Sequence, residues 1–336
     1  MNSFATTAIG SLPFKDPALA VELNLQYLDI PCWPQLPKLS FLENMYAQFC
    51  EGFPGIVLDI DSKKIYVRGE NPEEQERFFQ AVLGKDYSYF RITEDYAQGL
   101  YLFAEKVKEG EIVKGQITGP VSFGLSIFQE NGKAIFYNEQ LREIVIKHLS
   151  MKAIWQYRFL KQIAREVVIF IDEPYLSSIG SGFLTISETD IQNSLSEVVN
   201  VLKNEGATVG IHCCGNTDWV KLSNLNLDII NYDTFNYPHS LLLHPEVVLS
   251  HINRGGYIAW GIVPSSGEIE DVNLEDLMGR MKDVFQKAGS KKIDINLLKE
   301  RSLLTPSCGT GTLGEKEALR VYDKLKELKR SLKEVI

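Results

Sequence analysis

The regular alternation of short apolar runs with helix-forming stretches is what most constrains this chain. Runs near residues 5, 28, 113, 168, 208, 228, 257 and 303 read as strands, and amphipathic stretches separate most of them. Strands that alternate with helices pair in parallel, because each crossover returns the chain to the same end of the sheet. Eight such units predict an α/β fold of the (β/α)8 TIM-barrel type. A doubly wound open sheet is the alternative, and the lack of a Gly-x-Gly-x-x-Gly after the first strand counts against it. Val167-Val168-Ile169-Phe170-Ile171 is apolar throughout, as a strand covered on both faces must be.

One stretch breaks the alternation. Residues 56–60 and 64–67 flank Asp61-Ser62-Lys63, which predicts a β-hairpin insertion within 54–69. Helices are expected over 18–27, 41–51, 71–84, 93–108, 133–165, 187–204, 217–222, 239–253, 274–288 and 315–333. No linker, repeat or low-complexity tract divides the sequence, so residues 1–336 are expected to form a single barrel domain.

Bulk properties exclude several classes. The net charge of -9 argues against nucleic acid and against an anionic membrane surface, both of which call for basic patches. No apolar run reaches the ~20 residues of a transmembrane helix. The first residues lack a basic region ahead of an apolar core, so no signal peptide is expected. Five cysteines, an odd number, fit a reducing cytoplasm better than a disulfide framework.

In a barrel of this kind the C-terminal strand ends meet on one face, where active sites lie. Here they bring Gly10-Ser11, Gly119-Pro120, Asp172-Glu173-Pro174, His212-Cys213-Cys214, Asp233, Trp260 and Cys308-Gly309. Side chains alternate along a strand, so His212 and Cys214 share a face and Cys213 points the other way. An imidazole and a thiolate so placed can share a zinc ion, and Cys308 would make a third ligand. Three protein ligands and one open position is the catalytic pattern rather than the structural one.

Plainer readings stand beside each of these. His212 can be a core histidine next to a small apolar cysteine. The Asp172-Glu173-Pro174 carboxylates can cap a helix, and Asp233 can cap a turn. Cys308 can be a core residue, and the glycines from Gly309 to Gly314 a phosphate loop, although no lysine or arginine stands nearby. Trp260 can be a packed wall. His239, His244 and His251 belong to an expected surface helix, where solvation is the ordinary state.

Taken in order, Ile9-Gly10-Ser11-Leu12-Pro13, Ile117-Thr118-Gly119-Pro120, Ile171-Asp172-Glu173-Pro174, His212-x-Cys214-Gly215 and Cys308-Gly309 resemble the catalytic domain of the cobalamin-independent methionine synthases. The resemblance spans nearly the whole chain and implies a single-domain member of that family, within a superfamily that includes the uroporphyrinogen decarboxylases. It implies zinc held by His212, Cys214 and Cys308. The family's fourth ligand is a glutamate; this chain has Asp233 near that point, one methylene shorter, and no glutamate from Asn216 to Pro245. By the same resemblance Ile9, Ser11 and Asp172 bind the amino-acid end of homocysteine, and Glu43 corresponds to a further substrate-binding glutamate.

The activity so implied is transfer of a methyl group to the homocysteine thiol, giving methionine. The folate-using synthases carry a second barrel. The short form therefore points to methylcobalamin or a corrinoid protein as donor, with methyltetrahydrofolate as the other candidate. Zinc fits the chemistry, because a thiol of pKa ~8.5 needs a metal to be a thiolate at neutral pH. Trp33, Phe123 and Trp260 are candidates for an aromatic mouth facing a flat corrin or pterin. The alternatives are methylation of another thiol, a metal-free decarboxylase-like enzyme, and a barrel that binds without turnover.

Overall fold

The computed structural model describes residues 1–69, 71–108, 110–179 and 186–335. Among these the strands are β1 (Ala5–Thr6), β2 (Ile56–Asp59), β3 (Lys64–Val67), β4 (Ile112–Thr118), β5 (Phe128–Gln129), β6 (Glu166–Asp172), β7 (Thr208–Cys213), β8 (Ile229–Tyr232), β9 (Tyr257–Val263) and β10 (Ser302–Pro306). Seven of them form one sheet in the order β1-β10-β9-β8-β7-β6-β4, and every neighbouring pair is parallel. Helices join successive strands, as the alternation requires.

The sheet curls until its edges approach one another. Residues 30–32 bridge the gap: Ile30 N–H donates to the Thr6 carbonyl at 3.0 Å, and Lys114 N–H donates to the Pro31 carbonyl at 2.8 Å. Cys32 and Lys114 make a single parallel bridge there. The strand expected over 28–33 is therefore not a strand. Pro31 and Pro34 have no N–H to donate, so no ladder can extend through them. The architecture is a TIM-barrel-like, seven-stranded curled sheet.

The hairpin is present as antiparallel β2–β3, extended by β5 alongside β3. The helix expected over 41–51 is replaced by two short 3-10 turns, Phe41–Glu43 and Ala47–Phe49. Between them the Asn44 side chain accepts the Tyr46 N–H at 3.0 Å, a local bond that competes with helix continuation. The stretch 133–165 is one helix, Glu139–Lys161, preceded by a 3-10 turn. Among the described residues no helix is long and apolar enough to cross a membrane.

Two layers fill the sheet interior. Phe170, Ile229, Ala259 and Leu303 pack together as part of a small apolar cluster. Lys114, Gln116, Asp172, His212, Asn231 and Thr305 occupy positions of the same alternation and are all buried. Register aligns Asp172 with His212, His212 with Asn231, and Asn231 with Ala259. One row across β6–β8 thus holds the polar side chains of Asp172, His212 and Asn231, and Ala259 continues it on β9.

Candidate metal centre

His212 lies one residue before the end of β7, Cys214 one residue after it, and Cys308 two residues after β10. A ring nitrogen of His212 and the Sγ atoms of Cys214 and Cys308 lie within 4.8 Å of one another. His212 Nδ1 is 2.5 Å from Asn231 Oδ1. Its other ring nitrogen, Nε2, is buried and has no hydrogen-bond partner. An unpaired buried nitrogen is costly in an ordinary core. Beside two sulfurs it is a candidate metal ligand.

The sulfurs are electrostatically unlike. The neighbouring Cys308 thiol holds Cys214 well below the usual thiol range, against the effect of burial, and His212 reinforces this. The same contact and burial push Cys308 up. Cys213, on the opposite face, is fully buried and raised to about 12 by burial, as an inert core thiol should be.

The cluster opens into a cavity of about 460 Å³ whose wall includes Ile9, Ser11, Glu43, Asp172, His212, Cys214 and Cys308. Of the residues expected to hold the metal or the amino acid, all but Asp233 line it. Asp233 is buried near the cluster, but its Oδ1 accepts the Asn236 N–H at 2.9 Å and its Oδ2 the Asn236 Nδ2 at 2.7 Å. It acts as a turn cap, and it is not among the three groups that come together.

Asp172 alone of its motif offers a carboxylate to the cavity. Its Oδ1 is buried without a partner. Burial raises its carboxyl to about 6, while His212 and Lys114 pull it down. Glu173 turns away and caps the helix Pro120–Ser126, accepting the N–H groups of Val121 and Ser122 at 2.9 Å and the Ser122 hydroxyl at 2.6 Å.

Glu43 reaches the cavity from the irregular segment. Its Oε2 accepts the Leu36 N–H at 2.8 Å and its Oε1 the Gln98 N–H at 3.1 Å. Burial nevertheless raises it to about 7.

The loop carrying Ile9 and Ser11 is held from two sides. From β4, the fully buried Lys114 donates to the Ile9 carbonyl at 2.7 Å and to Gln116 Oε1 at 3.1 Å. Gly10 has φ +147, and a Cβ there would stand 2.7 Å from Gln116 Cδ. From the other side, the Thr310 N–H and hydroxyl both donate to the Ser11 carbonyl, at 2.9 and 3.1 Å. The glycines at 309 and 311 pack against Ser11, which accounts for them without a phosphate.

The expected aromatic mouth is absent. Trp33, Phe123 and Trp260 are fully buried, and among the described residues no aromatic side chain lines the cavity. Trp33 Nε1 donates to Gln156 Oε1 at 3.0 Å and Trp260 Nε1 to Ser302 Oγ at 2.8 Å, so both are packed walls of the core. His251 is likewise buried rather than solvated, with Nε2 3.0 Å from the Tyr257 carbonyl. His239 and His244 are on the surface side, beside Asp283 and Glu246.

Asn231 and Lys114 escape a reading of the sequence by motif. A signal existed for each, a polar residue at an inward position of an apolar strand. Gln35, Lys38 and Met45 of the cavity wall escape it too, because irregular chain brings them there.

No family model matches the chain, and no curated protein matches it in sequence. Solved structures do. A B12-independent methionine synthase from Shewanella sp. W3-18-1, in complex with selenomethionine, superposes with a TM-score of 0.59 at 16% identity, covering 99% of this chain and 100% of that one. The chain shares that protein's fold. A putative vitamin-B12 independent methionine synthase from Listeria monocytogenes gives a TM-score of 0.54 at 16% identity, covering 95% of this chain and 86% of that one. At this identity the likeness is one of architecture, and the chemistry has to be argued from the side chains.

Proposed function

We propose that the chain is a zinc-dependent methyltransferase that methylates the thiol of homocysteine to give methionine. The observation that carries this is the convergence of His212, Cys214 and Cys308, with a buried and unpartnered imidazole nitrogen, at the wall of a cavity that also holds an unpartnered Asp172 oxygen. One imidazole and two thiols suit zinc. Bound there, zinc would supply the Lewis acidity that keeps a substrate thiol ionised near neutral pH.

The chain's own residues do the rest. His212 would offer Nε2, and Cys214 and Cys308 sulfur, while Asp233 is engaged with Asn236 and would leave a ligand position to the substrate. Asp172 pairs with the substrate ammonium through its free oxygen, a charge-assisted contact. The loop of residues 9–11, held by Lys114 and Thr310, receives the carboxylate end, and Glu43 closes the wall. The selenomethionine complex of the Shewanella protein fits a cavity for an amino acid of this kind. In this reading residues 1–336 act as one catalytic unit.

Both structural neighbours are described as independent of B12, which lends no support to a corrinoid donor. The assay therefore carries both donors. Zinc-loaded protein and homocysteine are given methyltetrahydrofolate or methylcobalamin in separate reactions, and methionine is measured. Methionine formed with zinc and lost in Cys308→Ser supports the proposal. Metal-free protein that is fully active on its substrate would overturn it and favour the decarboxylase-like alternative.

A further inference from the structure

Asn231 sits in the middle of β8, fully buried, as register partner of both His212 and Ala259. A primary amide in such a place is expensive unless its hydrogen bonds are made. Here they are. Nδ2 donates to the Ala259 carbonyl at 2.8 Å on β9 and to Thr305 Oγ1 at 2.8 Å on β10. Oδ1 faces His212 Nδ1 at 2.5 Å on β7.

These bonds fix each other's polarity. The Ala259 carbonyl can only accept, so the amide's NH2 end must face β9 and β10. Its oxygen then faces β7, and an amide oxygen can only accept. The hydrogen between Asn231 and His212 therefore belongs to His212 Nδ1. A neutral imidazole protonated on Nδ1 carries its lone pair on Nε2, the buried nitrogen that has no partner.

We infer that Asn231 is a positioning residue for the metal centre: it selects the Nδ1–H tautomer of His212 and aims Nε2 at the zinc site shared with Cys214 and Cys308. This rests on the zinc proposal. Residues that orient a metal-bound histidine through its other nitrogen are usually carboxylates or backbone carbonyls. Here a neutral amide takes that place, tied in turn to two further strands. The histidine's orientation is thereby coupled to the register of β7, β8, β9 and β10, and no charge is added to the barrel interior.

The test is zinc affinity, measured by competition with a chromophoric chelator at a temperature where every variant is folded. Asn231→Ala should bind zinc about 10- to 100-fold more weakly than the unaltered protein. Asn231→Asp keeps an acceptor for Nδ1–H but cannot donate to Ala259, so it should retain zinc affinity while losing thermal stability. A purely structural asparagine would lower stability in both variants and leave zinc affinity unmoved. Asn231→Ala protein that holds zinc as tightly as the unaltered chain overturns the role of Asn231 alone. An unaltered chain with no zinc affinity overturns the metal reading, and this role with it. Nitrogen-15 NMR of His212 in the unaltered zinc protein needs no variant to fold: the proton is expected on Nδ1, and a proton on Nε2 with metal on Nδ1 would refute the inference.

Discussion

A Cβ on Gly309 would overlap the hydroxyl oxygen of Ser11. The loop after β10, which carries the candidate ligand Cys308, and the loop after β1, which lines the cavity, therefore meet with no room for a side chain between them. Gly309→Ala should push Ser11 out of place and lower kcat/KM on the order of 10- to 100-fold. Steady-state kinetics with a zinc assay on the same sample checks this. Unchanged kinetics would show that the contact is slack.

Asp172→Asn should weaken homocysteine binding with zinc content unchanged. A charge-assisted hydrogen bond contributes about 1.5–3 kcal/mol, which corresponds to a loss on the order of 10- to 100-fold. Equilibrium binding of homocysteine to the zinc-loaded variant measures it. Affinity equal to that of the unaltered protein would remove Asp172 from the substrate's ammonium.

Glu43 makes stability depend on pH. Burial raises its pKa to about 7, above its ordinary value near 4.5. The folded chain thus holds a proton on Glu43 that the unfolded chain has released, so this contribution is present below about pH 4.5 and is lost as pH rises through about 7. Metal-free protein should lose stability to urea between about pH 5 and pH 8, and Glu43→Gln should lose less over the same range. Parallel curves for the two proteins would contradict the assignment.

Trp260 belongs to the core. Its ring packs edge-on against Phe285 at 6.2 Å and Tyr232 at 6.0 Å. Trp260→Ala should cost about 3–5 kcal/mol of unfolding free energy. A variant of near-normal stability with altered use of the methyl donor would restore it to the cavity wall.

The candidate ligands were legible because their neighbours are. His212, Cys214 and Cys308 each come at or just past the end of an apolar run, and parallel strands deliver all such ends to one side of the sheet. Trp260 also stands near a strand end, but sequence position gives the end and not the face. Its neighbours Ala259 and Gly261 take the inward positions, and the indole points outward to the helix Leu274–Ser290. The segment 28–33 is apolar enough to read as a strand, yet Pro31 and the following Pro34 limit it to one bridge. Asp233 follows the next strand, where the resemblance implies a fourth ligand, but Asn236, three residues on, engages both its oxygens. Gln35, Lys38 and Met45 come from irregular chain, where no periodicity points to a face, and Glu43 of the same segment is reached only through the resemblance.

The proposed function requires an open, thiol-accepting zinc site on His212, Cys214 and Cys308. X-ray absorption at the zinc edge, on protein with and without homocysteine, tests it most directly. One zinc per chain is expected, with two sulfur neighbours at about 2.3 Å and a third sulfur when homocysteine is added. A shell that homocysteine leaves unchanged, or a folded protein that takes up no zinc, would contradict it.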